Sequence, residues 1–439
     1  MSGGKTPAAH LASLHARARE ASQRGRRGDA VPLCRQILDL DPGSVDALHF
    51  LGMWHLDQGE YKEAGEYLGR LSTLIPDAGE VRLPLAMALE ECGQLEAALD
   101  QARVALRSGR NRYFPFLFIG SIFERLGDVE RASIAYSTAA RINSGSERLS
   151  DDPSQPAYAR ERARRGNALI DRYLRGMHAK EVERIRRQRP GADLDRVAAA
   201  RWRRFHTVPV TLTNPAQDPQ WFYVPGLDRT GWFEREEFPW VEALEARAED
   251  ILAEVRERYR LEEDTRPYLT GDGYDERYND IVGNTNWGAC RFYNGFERNE
   301  EVCRRFPLTA SVLDGLPLFR VEGNAMEALY STLKAGKRIP EHQSVCNAKL
   351  TVHLPLIVPE KCYLDVQGEA RQVEFGRCLL FDDTAVHGAR NESNDIRINL
   401  LFQVWHPDLS EDERALIEAS YAAHERWLHQ RSLDRLLAD

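Results

Sequence analysis

The chain has 439 residues, 42% of them apolar and 29% charged, with no long low-complexity tract; this predicts two or three globular domains and excludes a disordered or fibrous protein. A formal net charge of −9 argues against general affinity for nucleic acid. The seven cysteines (34, 92, 290, 303, 346, 362 and 378) fit neither a disulfide framework nor a metal-binding spacing; the start MSGGKTPAAH has no apolar signal core, and no apolar run nears ~20 residues, so the expectation is a soluble cytoplasmic protein with reduced thiols and no membrane span.

The first third repeats itself. Gly52, Ala86 and Gly120 are 34 residues apart, as are Gly59, Gly93 and Gly127, and Ala64, Ala98 and Ala132; Pro42 and Pro76 keep the same period, and Gly25 and Ala30 fit a degenerate first copy. A small residue at the first position lets two antiparallel helices approach. A glycine seven residues on makes the turn, and an alanine five further lets the second helix pack. The segments FLGMWHLDQGEYKEAGEYL and FIGSIFERLGDVERASIAY resemble tetratricopeptide repeats, about four across residues 11–146, which predicts an α-helical repeat domain over 1–146. Such arrays present concave surfaces to peptides or proteins, or serve as structural and dimerising modules. Tyr113, Phe114, Phe116 and Phe118 are expected in the inter-helix core.

The run SGSERLSDDPSQP after Asn143 is linker-like. Residues 147–205 predict a helical connector broken at Pro190-Gly191. From Tyr158 to Arg204 it carries fifteen Lys/Arg against six Asp/Glu, the charge of a solvated helical face or of a patch for an acidic partner. From His206 prolines and aromatics cluster, as in PQWFYVPGLDRTGWF, so a third region is expected over 206–439.

Two strands stand out there. In 349–358, Lys349, Thr351 and His353 share one face and Leu350, Val352 and Leu354 the other; in 396–405, Arg397, Asn399 and Gln403 oppose Ile398, Leu400, Phe402 and Val404. Between them FGRCLLFDDTAVHG predicts a glycine turn, a short buried strand and a polar end. Two strands that put His and Arg on an otherwise buried sheet favour a shared polar cavity inside a small β-barrel or jelly roll. His342, His353 and His387 fall at the ends or faces of these strands. Two histidines about 45 residues apart, with an arginine ten past the second, suit Fe(II) with open positions for a chelating co-substrate and O2, and Arg397 suits a distal carboxylate; surface or satisfied core histidines are the alternative.

The segment PEHQSVCNAKLTVHLPLIVPEKCYLDVQGEARQVEFGRCLLFDDTAVHGARNESNDIRINLLFQVWHPDL resembles the catalytic core of the aspartyl/asparaginyl β-hydroxylase family. The likeness reaches back through NTNWGACRFYNGFERNEEV and covers roughly residues 215–415. It implies a double-stranded β-helix (jelly-roll) oxygenase domain that binds Fe(II) through His342 and His387 and uses 2-oxoglutarate and O2. It further implies Arg397 on the distal carboxylate of 2-oxoglutarate, with Trp287, Ser331 and His353 lining the pocket. In this family the iron lacks a carboxylate ligand, and Ser344 stands where one would fall. A pocket arginine expected two residues before His353 is Thr351 here, and Lys349 on the same face is its candidate replacement. Asp382 or Asp383 is expected either to orient a ligand histidine or to serve as a turn residue.

The expected activity is a 2-oxoglutarate-dependent dioxygenase hydroxylating an unactivated C–H, foremost the β-carbon of Asp or Asn in a peptide or protein docked on the repeats. The alternatives are a lipid acyl chain or small metabolite as target, and a non-catalytic repeat scaffold. Elsewhere, SEDE at 410–413 predicts a capping box opening a helix through residue 429, His424 and His429 are expected at the surface, and Gly271-Asp272-Gly273-Tyr274 is expected as a turn, with a loop near the site mouth as the alternative.

Overall fold

The computed structural model describes residues 7–76, 78–108, 113–142, 150–203, 210–270, 280–430 and 436. The chain divides into two compact units, Met1–Ile170 with Gln430–Asp439, and Asp171–His429. The division falls inside the long helix Ala157–Gln188, which ends just before Pro190-Gly191. The expected boundary at 205 and the Gly271–Tyr274 turn lie outside the described residues.

The first unit is the helical array. Four helix pairs follow one another: Pro7–Gln23 with Arg27–Leu40, Val45–Asp57 with Tyr61–Leu74, Gly79–Glu91 with Leu95–Ser108, and Tyr113–Arg125 with Val129–Ile142. The period is enforced at two kinds of position. Gly25, Gly59, Gly93 and Gly127 turn the chain within each pair at φ between +73° and +80°, where another residue would cost about 1–2 kcal/mol. At Gly52 and Gly120 the constraint is contact: an added Cβ would lie 2.7 Å from Leu68 and 2.8 Å from Tyr136. Tyr113, Phe116 and Phe118 are buried as expected, and Phe114 is half-buried.

The second unit is built on two antiparallel sheets. The larger runs in the order Trp232–Phe233, Leu379–Phe381, Lys349–Ile357, Arg397–Trp405, Glu327–Leu333, Trp287–Asn294 and Arg266–Pro267. The smaller runs Arg338–His342, His387–Asn391, Cys362–Val366 and Glu369–Gln372. The two strands read from the sequence are central neighbours, paired from Lys349↔Trp405 to Leu354↔Leu400, and each lies within a residue of its expected bounds.

Alternation sorts their side chains as the sequence suggested. Leu350, Val352 and Leu354 with Ile398, Leu400, Phe402 and Val404 pack under Ile251, Leu252 and Val255 of the helix Ala248–Arg258. The opposite face turns toward the smaller sheet, where Trp287, Leu333 and Phe381 meet Leu364, Val366 and Ala389. Each fully buried aliphatic on the outer face contributes about 1.5–3 kcal/mol. That layer offsets the several kcal/mol that an uncompensated buried charge on the inner face costs.

The terminal helix Glu411–His429 opens on the expected capping box: Ser410 N–H donates to Glu413 Oε2 (2.9 Å) and Glu413 N–H to Ser410 Oγ (3.2 Å). His429 is exposed, but His424 is not at the surface as expected. It is 3% exposed and stacks on Trp202, ring centroids 3.9 Å apart and 7° from parallel. One helical turn from Ser420 and three residues from Trp427, it falls on the buried stripe that Leu416, Ser420, Tyr421 and Trp427 define. Among the described residues no helix is long and apolar enough to cross a membrane.

Candidate active site

His342 ends its strand and His387 begins the neighbouring strand of the smaller sheet, and the antiparallel register makes them direct partners. Their rings lie 4.1 Å apart between centroids. In each ring Nδ1–H donates to the carbonyl two residues earlier: His342 to Pro340 (2.8 Å), His387 to Ala385 (2.9 Å). A carbonyl only accepts, so these bonds fix the tautomer and leave Nε2 of both rings with its lone pair, with no hydrogen-bond partner among the described residues. Burial, then the neighbouring His387, lowers the His342 pKa to about 3, and burial lowers that of His387 as well. Both imidazoles are therefore neutral at physiological pH, the form that binds metal.

Arg397 starts the strand Arg397–Trp405 and is fully buried. None of its three guanidinium nitrogens meets an acceptor among the described residues. Burial lowers its pKa to about 10, which leaves it charged at neutral pH. A buried, unpaired guanidinium calls for an anion, and its planar fork matches a carboxylate.

The remaining expected residues close a circuit around these groups. Asn399, two residues past Arg397 on the same face, donates from Nδ2 to His353 Nδ1 (3.2 Å). His353, its pKa far lowered by burial and then by Arg397, lies 5.6 Å from Phe381, which lies 5.1 Å from His387. On the other side Trp287 is 5.5 Å from His342 and donates from Nε1 to Ser331 Oγ (3.1 Å), and Ser331 is the ladder partner of Asn399. His342, His387, His353, Ser331 and Trp287 thus enclose one interior, with Arg397 on its wall. Among the described residues no group of three or more His, Cys, Asp and Glu side chains converges as a metal site.

Three neighbours escaped the sequence argument. Asn399 was legible as an inward residue of its strand, but its bond to His353 was not. Phe381 sits in a three-residue strand, and Tyr268, stacked on Trp287 at 3.8 Å and donating to Glu327 Oε2 (2.9 Å), follows a two-residue strand; neither segment is long enough to show a period. The aspartates resolve differently from one another. Asp382 is a turn residue, its Oδ1 accepting from Thr384 N (2.9 Å) and Oγ1 (2.7 Å) and its Oδ2 from Gln217 Nε2 (2.7 Å). Asp383 accepts from Lys349 Nζ (2.7 Å) and Thr351 Oγ1 (2.6 Å). Neither aspartate takes the Nδ1 protons of the two imidazoles, which go to carbonyls.

Residues 245–407 match the family Aspartyl/Asparaginyl beta-hydroxylase, and residues 15–77 match Tetratricopeptide repeat. The human Aspartate beta-hydroxylase domain-containing protein 2 is 31% identical over 216 residues, 47% of this chain and 55% of that protein. The human Aspartyl/asparaginyl beta-hydroxylase is 28% identical over 135 residues, 30% of this chain and 18% of that protein. The chain thus spans about half the length of the first relative and about a fifth of the second. Among solved structures, that of MamA is 22% identical, with 35% of this chain and 86% of that chain covered at a TM-score of 0.30. Residues 245–407 are thus similar to the aspartyl/asparaginyl beta-hydroxylase family, and residues 15–77, ahead of them, to tetratricopeptide repeats.

Proposed function

We propose that the chain is an Fe(II)- and 2-oxoglutarate-dependent hydroxylase whose two sheets form a double-stranded β-helix around the site. The observation that supports it most is the pairing of two opposite needs in one interior. Among the described residues, two neutral imidazoles offer lone pairs without partners, and one guanidinium offers donors without acceptors. A small dianion that chelates a metal at one end and carries a carboxylate at the other fits both.

In this assignment His342 and His387 hold Fe(II) through Nε2, and Arg397 holds the distal carboxylate of 2-oxoglutarate. Bound together with O2, iron and 2-oxoglutarate supply the oxidising power to hydroxylate an unactivated C–H, the co-substrate leaving as succinate and CO2. Two neutral ligands leave the metal its full double charge, which favours the dianion and weakens metal binding in its absence. The chain's own contribution is positional. Trp287 and Ser331 form one wall, His353 and Asn399 another, and the buried strands behind them keep water out.

The target we assign is the β-carbon of an Asp or Asn in a peptide or protein, recruited by the repeat array; the names of the relatives support this target. Seven cysteines without disulfides favour a reducing, cytoplasmic setting. The test is turnover. Full-length protein with Fe(II), 2-oxoglutarate and O2 should release succinate, faster in the presence of peptides that the full chain captures, and those peptides should gain one oxygen at Asp or Asn. Oxygen gained on a lipid or metabolite would move the target, and capture with no succinate under any condition would leave a repeat scaffold.

A further inference from the structure

Lys349 was the candidate replacement for the missing pocket arginine, and its position assigns it elsewhere. Its partner in the ladder is Trp405, eight residues along the strand from Arg397. At strand rise that is roughly 26 Å, several times the length of a five-carbon diacid. Lys349 is 0% exposed and committed. Its Nζ donates to Asp383 Oδ2 (2.7 Å) and to Ser344 Oγ (3.2 Å).

Those two acceptors lie on the two loops that adjoin the strand ends carrying the imidazoles. Ser344 follows His342 by two residues, and Asp383 precedes His387 by four. The same loops are stitched by Ser344 N–H to the Asp383 carbonyl (2.7 Å) and by Gln343 Nε2 to the Thr384 carbonyl (3.0 Å). Thr351 Oγ1 adds its bond to Asp383 Oδ2 (2.6 Å). Burial would push the Asp383 carboxyl up. The Lys349 charge, with hydrogen bonds from Lys349 and Thr351, holds it below the usual carboxylate range, so Asp383 is a carboxylate at neutral pH. The stitching falls where the ladder is weakest, because the register between the two histidine strands shifts between Ile339 and His342.

We propose that Lys349 is a positioning residue for the imidazole pair: its ammonium clamps the Ser344 loop to the Asp383 loop and so sets the separation of His342 from His387. The proposal rests on the assignment of that pair to metal. It removes Lys349 from anion binding and leaves Arg397 to hold the co-substrate's distal carboxylate. Supports of this kind around metal ligands alter affinity by about 10–100-fold.

The experiment is an anaerobic titration of the full-length protein with Co(II), alone and with saturating 2-oxoglutarate, alongside a thermal melt. Lys349→Met should weaken Co(II) binding at least tenfold in both conditions, Lys349→Arg should recover most of it, and Ser344→Ala should lose a few-fold with an unchanged melt. Unchanged Co(II) affinity in Lys349→Met, with weakened 2-oxoglutarate binding, would overturn the clamp and make Lys349 an anion-binding group. If Lys349→Met does not fold, Ser344→Ala decides, and wild-type Co(II) affinity in that variant overturns the clamp. Wild-type protein that binds no Co(II) overturns the metal assignment and the clamp with it, whereas failure of the clamp alone leaves wild-type binding intact.

Discussion

Each unit buries a charged side chain, and the two are treated in opposite ways. In the repeat array Glu90 is 1% exposed and fully partnered, accepting from Ser121 Oγ (2.6 Å) and Arg162 Nη2 (2.7 Å). In the sheet domain Arg397 is equally buried and meets no acceptor among the described residues. A buried charge that finds its partners inside the protein holds the protein together, and one left without partners is available to a ligand. The two sites have the same burial but opposite expected responses to mutation, and that contrast can be broken experimentally.

The largest effect is expected at the imidazole pair. His342→Ala or His387→Ala should each weaken Fe(II) binding by more than about 100-fold, since neither ring has a substitute among the described residues. Calorimetry under anaerobic conditions checks this. Next comes Glu90→Leu, which leaves the buried Arg162 only its longer bonds to Glu91 Oε1 (3.4 Å) and the Tyr158 carbonyl (3.4 Å) and should cost about 3–5 kcal/mol of stability by denaturant unfolding. Arg397→Met should do the reverse to the apo protein. It removes an unpaired buried charge, so the melting temperature holds or rises, while 2-oxoglutarate binding weakens by about 2–3 kcal/mol, roughly 30–150-fold. A fall in apo stability at Arg397→Met comparable to that at Glu90→Leu would erase the distinction between the two sites.

Smaller effects sharpen it. Gly120→Ala drives a methyl into Tyr136 and should cost about 1–3 kcal/mol, with co-substrate binding unchanged. The site histidines predict a pH dependence. In the unfolded chain His342 titrates near its ordinary value of 6.5, and in the folded protein near 3. A depressed histidine pKa means that the unfolded state takes up the proton first. Its share of stability is therefore complete above about pH 6.5 and is lost as pH falls toward 3. Melting temperatures from pH 7 to 5 should fall more steeply for wild type than for His342→Ala.

The two units also differ in how much of them the sequence revealed. Repetition makes the array legible, because the same short-range constraint recurs: a left-handed glycine at 25, 59, 93 and 127, and a contact glycine at 52 and 120. In the sheet domain the strands with one apolar face showed themselves, at Lys349–Ile357 and Arg397–Trp405, as did the short buried strand expected between them, at Leu379–Phe381. The strand Glu327–Leu333, which carries Ser331, is buried nearly throughout and has no alternation to read. Ser331 and Trp287 came from family resemblance, and the structure places both on the wall of the interior. The Lys349–Asp383 pair joins residues 34 apart through a strand pairing that no local pattern announces, so lysine could be placed on the right face but not given its partner. The burial of His424 was missed for a related reason, since five-residue spacing from His429 says nothing about which helical stripe meets Trp202.

The central claim is that the inner face of the sheet domain binds Fe(II) and 2-oxoglutarate together. Its most direct test is visible absorption during anaerobic addition of both to the metal-free protein. A weak charge-transfer band should appear only when both are present, vanish in His342→Ala and in His387→Ala, and need far more 2-oxoglutarate in Arg397→Met. A folded wild-type protein that shows no band at any concentration of the two would contradict the claim.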